Sequence, residues 1–341
     1  QEKLPSVTIV GALPPPLGGV TIFLRRLTNA LKSEFDITLL DIRRVDGKAP
    51  LFKGHKISPF HNRFLSIMWL QWQLLRQRHG TLHFHFSSLR GLVLASLLLQ
   101  RSNAAILTLH HGITYLSAPL ERLLKIVSPR LRQNIDVIHA LNSDQRHFYQ
   151  SLIGFKDPKV FECPTHIAPV NSDLPIAAKT QELMKQATPY VLTSGSSSRL
   201  NRADLVLDYW SKRKGDGTHL VVSIYGENDR EYVDELKWMA DVIPTATIVG
   251  AMPENDFNTL LSNAILYLRP AEEDSFGIAV ADALAFNTPV LASDACERSK
   301  GVIVFGRYDM VEMGRKLEAC LLDKKEKRTQ PNLPDRSDEY K

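Results

Sequence analysis

Short apolar runs alternate with longer helix-like stretches from one end of this chain to the other, and that alternation leaves few folds open. Strands are expected at Val7–Val10, Ile37–Ile42, Leu82–Phe86, Ala105–Leu109 and Val137–Ala140. A helical run to about Glu34 follows the first strand, and others are expected near 62–78, 89–100, 117–127 and 143–152. A segment carrying Gly154, Pro158, Pro164, Pro169 and Pro175 then breaks the pattern and reads as a linker. Strands resume at Tyr190–Thr193, Leu220–Tyr225, Thr245–Val249, Ile265–Leu268 and Val290–Ala292. Strands separated by helices imply parallel sheets, so the fold class is α/β with two successive Rossmann-like domains. The boundaries are 1–167 and 168–330, with a tail at 331–341.

The length of 341 residues gives each domain enough chain for its own core. The net charge of +5 conceals an imbalance: residues 1–165 are strongly basic and residues 166–341 acidic. No basic run interleaved with aromatics marks a nucleic-acid groove. An anionic membrane surface suits the basic half better. Phe60 to His79 carries Trp69, Trp72, Arg63, Arg76 and Arg78 on one helical run, and either a lipid-facing helix or a core helix with a basic edge fits. With Arg122, Lys125, Arg130 and Arg132 it would form a basic patch. The apolar stretch 91–99 is too short to span a bilayer and reads as a buried helix. Cys163, Cys296 and Cys320 have no paired spacing, so a reducing cytosol is expected, with neither disulfide framework nor zinc site. Gln1-Glu2-Lys3 runs directly into a strand, so no secretory signal is read in the sequence given.

The richest chemistry lies at 268–294. Asp274 precedes a Ser275-Phe276-Gly277 turn, Asp282 lies inside the helix-like run that follows, and Pro289-Val-Leu-Ala-Ser293 forms the next strand. The turn presents backbone N–H groups at a helix N-terminus, a ready anion site, with Asp274 at its mouth and Asp282 two turns further along one face. That suits a ligand with a diphosphate between hydroxyl-rich sugars. Gly18-Gly19-Val20, between the first strand and first helix, allows close approach to a phosphate; its spacing is not that of a nicotinamide or flavin dinucleotide loop. His110-His111-Gly112 and Gly195-Ser-Ser-Ser-Arg199-Leu-Asn-Arg202 each follow a strand. The turn Gly226-Glu227-Asn228 is a weaker signal, and Arg298, just past Asp294, either reaches the cleft or forms a surface ion pair.

The 268–294 segment resembles the donor-site motif of family 4 retaining glycosyltransferases of the GT-B fold, in which Glu-x-Phe-Gly-x4-Glu precedes a Pro-Val-(Ile/Val)-Ala-Ser strand. Asp replaces Glu at both acidic positions here, which keeps the charge and loses about one methylene of reach. The resemblance implies two Rossmann-like domains facing across a cleft, the acceptor on the first and the nucleotide-sugar on the second. It implies Asp274 on the transferred sugar, Asp282 on the ribose, and His111 (or His110) facing the reacting centre. Arg199 and Arg202 would clamp the diphosphate, although the family carries Gly-Arg and then Lys there. Gly18, Gly19, Ser275, Phe276 and Gly277 would approach phosphate through backbone. The donor would be a UDP- or GDP-sugar, and with no Asp-x-Asp present neither metal nor further cofactor is expected. Arg269-Pro270…Asp274 and Ser299–Phe305 look like the subset that builds bacterial surface polysaccharide, O-antigen or capsule. That would make the acceptor an undecaprenyl-diphosphate-linked saccharide and the location the inner face of the cytoplasmic membrane. A nucleotide-sugar 2-epimerase of the same fold and a non-enzymatic two-lobed binding protein are the alternatives.

Overall fold

A computed structural model describes residues 4–322 apart from 16, 44–45, 78–79, 100–103, 113–115, 164, 170–174, 188 and 227–228. The described chain divides into two compact units between Ile167 and Ala168.

The first unit contains β1 (Ser6–Val10), α1 (Gly19–Leu31), β2 (Asp36–Asp41), β3 (His55–Ile57), α2 (Arg63–Arg76) and β4 (Thr81–Phe86). It continues with α3 (Arg90–Leu97), β5 (Ala104–Leu109), α4 (Ala118–Asn134), β6 (Val137–Ala140), α5 (Ser143–Phe148) and β7 (Val160–Glu162). The strands pair in parallel in the order β3-β2-β1-β4-β5-β6-β7. The direction of strand addition reverses between β1 and β4, which makes their carboxyl ends the natural ligand crevice of this unit. Right-handed crossovers set α2, α3 and α4 on one sheet face and α1 on the other. One apolar core accordingly collects Leu70 and Leu74 of α2, Leu92 and Ala95 of α3, and Leu124 and Leu131 of α4 against Phe84 and Leu107.

The second unit contains α6 (Ala178–Ala187), β8 (Tyr190–Ser196), α7 (Ala203–Lys212), β9 (His219–Tyr225), α8 (Arg230–Asp241) and β10 (Ala246–Val249). Then come α9 (Glu254–Asn263), β11 (Leu266–Arg269), α10 (Ile278–Ala285), β12 (Val290–Ser293), β13 (Ile303–Phe305) and α11 (Met310–Leu322). Its parallel order is β10-β9-β8-β11-β12-β13, so the reversal falls between β8 and β11. The two cores of this unit, one on each sheet face, are centred on Trp210, Leu236 and Leu317, and on Tyr190, Leu261 and Leu284.

The two Rossmann-like units match the fold class read from the sequence, and every expected strand is present. Three further strands, β3, β7 and β13, span three residues each at sheet edges, too short for a periodic signal. Helix α4 runs through Pro129 to Asn134, beyond the expected stop at 127. The Ser128 hydroxyl donates to the Leu124 carbonyl, and the outward-facing Pro129 is exposed, so the packed face of the helix is not interrupted. Of the 91–99 stretch, residues to Leu97 lie in α3 with Gly91, Leu92 and Ala95 buried, but Leu97 and Leu99 are exposed, so the stretch is a surface helix with one packed face and not a buried one. Among the described residues no helix is long and apolar enough to cross a membrane.

Candidate active site

The loop from β11 to α10 is built around one buried carboxylate. Arg269, the last residue of β11, donates from Nε to Asp274 Oδ2 at 3.1 Å and from Nη1 to the Ser194 carbonyl of β8 at 2.7 Å. Arg298, beyond β12, donates from Nη1 to the same Oδ2 at 3.0 Å and from Nε to the Ser293 carbonyl at 2.8 Å. Both hydrogen bonds reach Oδ2, and Oδ1 accepts none among the described residues. Burial pushes the Asp274 carboxyl upward, but the charges of Arg269 and Arg298 and their hydrogen bonds outweigh it and hold it below the usual range. The carboxylate is therefore ionised, fixed on one side and available on the other.

Gly277 makes the turn possible. Its φ of +79° is left-handed, and a Cβ there would stand 2.8 Å from Arg298 Nη1 and 3.1 Å from Asp274 Oδ2. It is also the N-cap of α10, with no capping side chain and no acid in the first turn, so the helix presents unneutralised amides beside the carboxylate. Ser275, Phe276 and Gly277 are half-buried around that point.

Asp282 lies on α10 but is only 3% exposed, among residues 280–284 that are all buried. Arg199 and Arg202 flank a short turn after β8. Arg199 is exposed, paired with Glu235 at 2.5 Å and lying 4.8 Å over the Tyr232 ring. Arg202 adopts φ 54°, pairs with Glu272 at 2.9 Å and donates to the Arg307 carbonyl. Each cation expected to meet a diphosphate thus already holds a carboxylate. The structure brings Arg202 to the loop of Asp274 through Glu272, whose N–H donates to the Leu200 carbonyl, and leaves Arg199 on α8. Arg269 and Arg298 were noticed in the sequence without a role; their convergence on Asp274 depends on β11 and β12 being neighbours, which spacing alone does not reveal.

In the first unit, Gly18 caps α1 with an extended φ of 177°, its carbonyl accepting from Ile22 N and from Thr21 Oγ1. Gly19 begins the helix. His110 is buried: its Nε2 lies 3.0 Å from His85 Nδ1 and its ring packs 5.2 Å from Phe23. His111 is half-buried and anchored through its carbonyl, which accepts from Gln145 Nε2 at 2.9 Å. Of the pair, His111 is the residue with a surface. Behind it, His83 and His139 meet at the Thr108 hydroxyl, 2.8 and 3.0 Å away. Burial, then the neighbouring histidines, keeps His83 and His85 well below their ordinary value; burial and His139 take His110 down to about 3. Glu227, Asn228 and the 331–341 tail lie outside the described residues.

Residues 177–329 match the family model for glycosyl transferases group 1. Curated protein sequences give no significant match. Among solved structures, HepE from Anabaena in complex with UDP-glucose is 12% identical, with a TM-score of 0.73 over 96% of this chain and 92% of that one. Sucrose-phosphate synthase from Thermosynechococcus elongatus is 15% identical, with a TM-score of 0.72 over 98% and 94%. At such identities the likeness is one of fold, and the fold is the pair of parallel-sheet units of GT-B proteins.

Proposed function

We propose that the chain is a glycosyltransferase that moves a sugar from a nucleotide-sugar to a lipid-linked saccharide with retention at the anomeric carbon, a reading supported by the glycosyl transferases group 1 match over residues 177–329 and by the GT-B fold. The observation that carries the donor site is Asp274, ionised, gripped through Oδ2 by two arginines at the N-cap of α10, with Oδ1 accepting no hydrogen bond among the described residues. A carboxylate oxygen so held accepts from a sugar hydroxyl without reorganising. Asp282 takes the ribose in this reading, and the amides of Ser275, Phe276 and Gly277 meet the diphosphate. Arg202 and Arg199 are secondary cations that must exchange Glu272 and Glu235 for phosphate. The bond from the anomeric carbon to the diphosphate oxygen breaks as one to the acceptor hydroxyl oxygen forms. The hydroxyl proton passes to the leaving phosphate, and His111 lines the reacting centre.

The acceptor half of the proposal rests on the outer face of the α2–α4 layer. Phe64, Met68 and Trp72 stand one turn apart along α2 and are 68%, 52% and 51% exposed; Ile126 of α4 is 75% exposed. Arg76 covers the Trp72 ring at 4.4 Å, Arg63 is exposed at the start of α2, and Arg122, Lys125 (paired with Glu121) and Arg130 are exposed on α4. Arg132 does not join them, since it donates to the Ile153 carbonyl, and Arg78 lies outside the described residues. Aromatic and aliphatic side chains ringed by cations fit an anionic bilayer. Such a surface serves an undecaprenyl-diphosphate-linked acceptor in bacterial surface-polysaccharide assembly.

Thermal unfolding with UDP, GDP, ADP, dTDP and CMP tests the donor site. A nucleotide at 100 times its Kd stabilises by about 2.7 kcal/mol, a shift of roughly 2–4 °C for a chain of this size. A shift with one base supports the transferase and names the donor. No shift with any base rejects it, and conversion of donor without acceptor favours the epimerase. Met68→Glu should abolish sedimentation with vesicles containing phosphatidylglycerol; unchanged sedimentation rejects the membrane face.

A further inference from the structure

We propose that Arg298 binds an oxyanion of the donor at the N-terminus of α10. The proposal rests on the nucleotide-sugar reading of this site and assigns to Arg298 the contact expected of Arg199 and Arg202.

The guanidinium of Arg298 is 2% exposed. Two of its three nitrogens are used: Nε donates to the Ser293 carbonyl and Nη1 to Asp274 Oδ2. The third, Nη2, is buried with no hydrogen-bond partner. Buried cationic N–H groups are almost always satisfied, because leaving one bare costs its full desolvation. The surroundings do not compensate. Arg269 and Arg298 bring two positive charges to the single carboxylate of Asp274, so the cluster carries a surplus positive charge. Helix α10 adds the positive end of its dipole, with no acid in its first turn and no side-chain cap. Gly277 lets the N-cap of α10 pack directly on the guanidinium, since a Cβ there would stand 2.8 Å from Arg298 Nη1.

The guanidinium that carries the unsatisfied N–H lies against Gly277, the N-cap of α10, and an unsatisfied cationic N–H, a charge surplus and a helix N-terminus are each complementary to an anion. Arg199 and Arg202 differ in that each faces a carboxylate of its own, Glu235 or Glu272. A nucleotide-sugar offers two kinds of oxyanion. Its diphosphate is always present, and a uronic acid adds a carboxylate on the transferred sugar. Asp274 is the proposed partner of sugar hydroxyls, so its neighbour Arg298 is placed to meet either.

Titration calorimetry with UDP, UDP-glucose and UDP-glucuronate, on wild type, Arg298→Lys and Arg298→Gln, tests the assignment. Arg298→Lys keeps a cation opposite Asp274 and loses the fork, so its ligand-free unfolding should stay near wild type. Losing a charge-assisted hydrogen bond should weaken binding by roughly ten- to hundred-fold. An equal loss for all three ligands supports the assignment with phosphate as the anion. A loss confined to UDP-glucuronate, which wild type then binds better than UDP-glucose, supports it with the sugar carboxylate as the anion. Unchanged affinities in the Lys variant overturn the assignment while leaving the donor reading intact. If wild type binds neither these ligands nor GDP, the donor reading itself has failed, and inorganic pyrophosphate becomes the probe. Stabilisation of wild type but not of Arg298→Lys by pyrophosphate would still support an anion contact; equal or absent stabilisation would overturn it.

Discussion

Asp41 in the first unit and Asp274 in the second are both buried carboxylates at the carboxyl end of a parallel sheet, each facing two cationic or imidazole side chains. They differ in what is left over. Asp41 ends β2, and its Oδ1 accepts from Arg43 N at 2.8 Å. Its Oδ2 accepts from Leu13 N at 3.2 Å, pairs with Lys48 at 2.6 Å and lies 3.5 Å from His55 Nε2. His55 Nδ1 accepts from Leu51 N, so its Nε2 carries the proton that faces the carboxylate. Both oxygens of Asp41 have internal partners, and Lys48 Nζ also donates to the Leu13 carbonyl; only His55 Nε2, 3.5 Å away, makes no hydrogen bond in this cluster among the described residues. The result ties the loop after β1 to β2. At Asp274 both arginines crowd onto one oxygen, the other is unused, and Arg298 retains a bare nitrogen. A carboxylate with both oxygens engaged ties loops together, whereas one with an oxygen left over can still accept a hydrogen bond.

The largest effect that would break this comparison is on stability. Asp41→Asn strands Lys48, whose side chain is buried, and should cost about 3–5 kcal/mol in chemical denaturation. Asp274→Asn keeps an oxygen for the arginines and should cost about 1–3 kcal/mol, while lowering kcat/KM for the donor roughly ten- to hundred-fold. A larger stability loss at Asp274 than at Asp41, with transfer unaffected, would reverse the assignment of roles.

Acidification should separate the two units next. Neutral buried histidines bind fewer protons than their unfolded counterparts between their lowered values and 6.5. Stability is therefore lost as pH falls through that window. His83, His85 and His110 each contribute up to about 1 kcal/mol per pH unit below 6.5, less when they couple. Asp41, where burial is outweighed by the neighbouring His55 and Lys48, and Asp274 are both held below 3.8. Their stabilisation persists until the pH falls beneath that value. Hydrogen exchange at pH 5 should show β4 and β5 deprotected relative to pH 7 while β8 and β11 are unchanged. Equal deprotection of both sheets would mean that the histidine row does not govern acid stability.

What the sequence disclosed follows the same division. The β11–α10 turn was legible because its chemistry is local: a glycine that must take positive φ, a carboxylate three residues before it, and a helix that begins at once. The strands were legible for the same reason, as runs of consecutive apolar residues. The Asp41 cluster was not, because Leu13 and Lys48 reach it from separate loops and His55 from β3, and their meeting depends on β1, β2 and β3 being neighbours. Arg298 lies 24 residues beyond Asp274 and arrives only through the pairing of β11 with β12. Conversely, Arg199 looked like a phosphate ligand because it follows a glycine at a strand end. Nothing nearby in sequence announces that Glu235 of α8 will occupy it.

Arg199 therefore supplies the smallest and most discriminating change. Its ion pair with Glu235 is solvent-exposed, and such pairs contribute little once screening and side-chain entropy are counted. Arg199→Ala should shift stability by no more than about 0.5 kcal/mol. The same logic ranks the cations for the donor: Arg298 has a nitrogen to spare, Arg202 must give up a half-buried Glu272, and Arg199 sits furthest from the Asp274 loop's contacts. Donor affinity should fall most in Arg298→Lys, less in Arg202→Ala and least in Arg199→Ala. If Arg199→Ala weakens UDP as much as Arg298→Lys does, Arg199 must exchange Glu235 for phosphate on binding. An unsatisfied group in the ligand-free protein would then be a poorer guide to the donor contact than position after a strand.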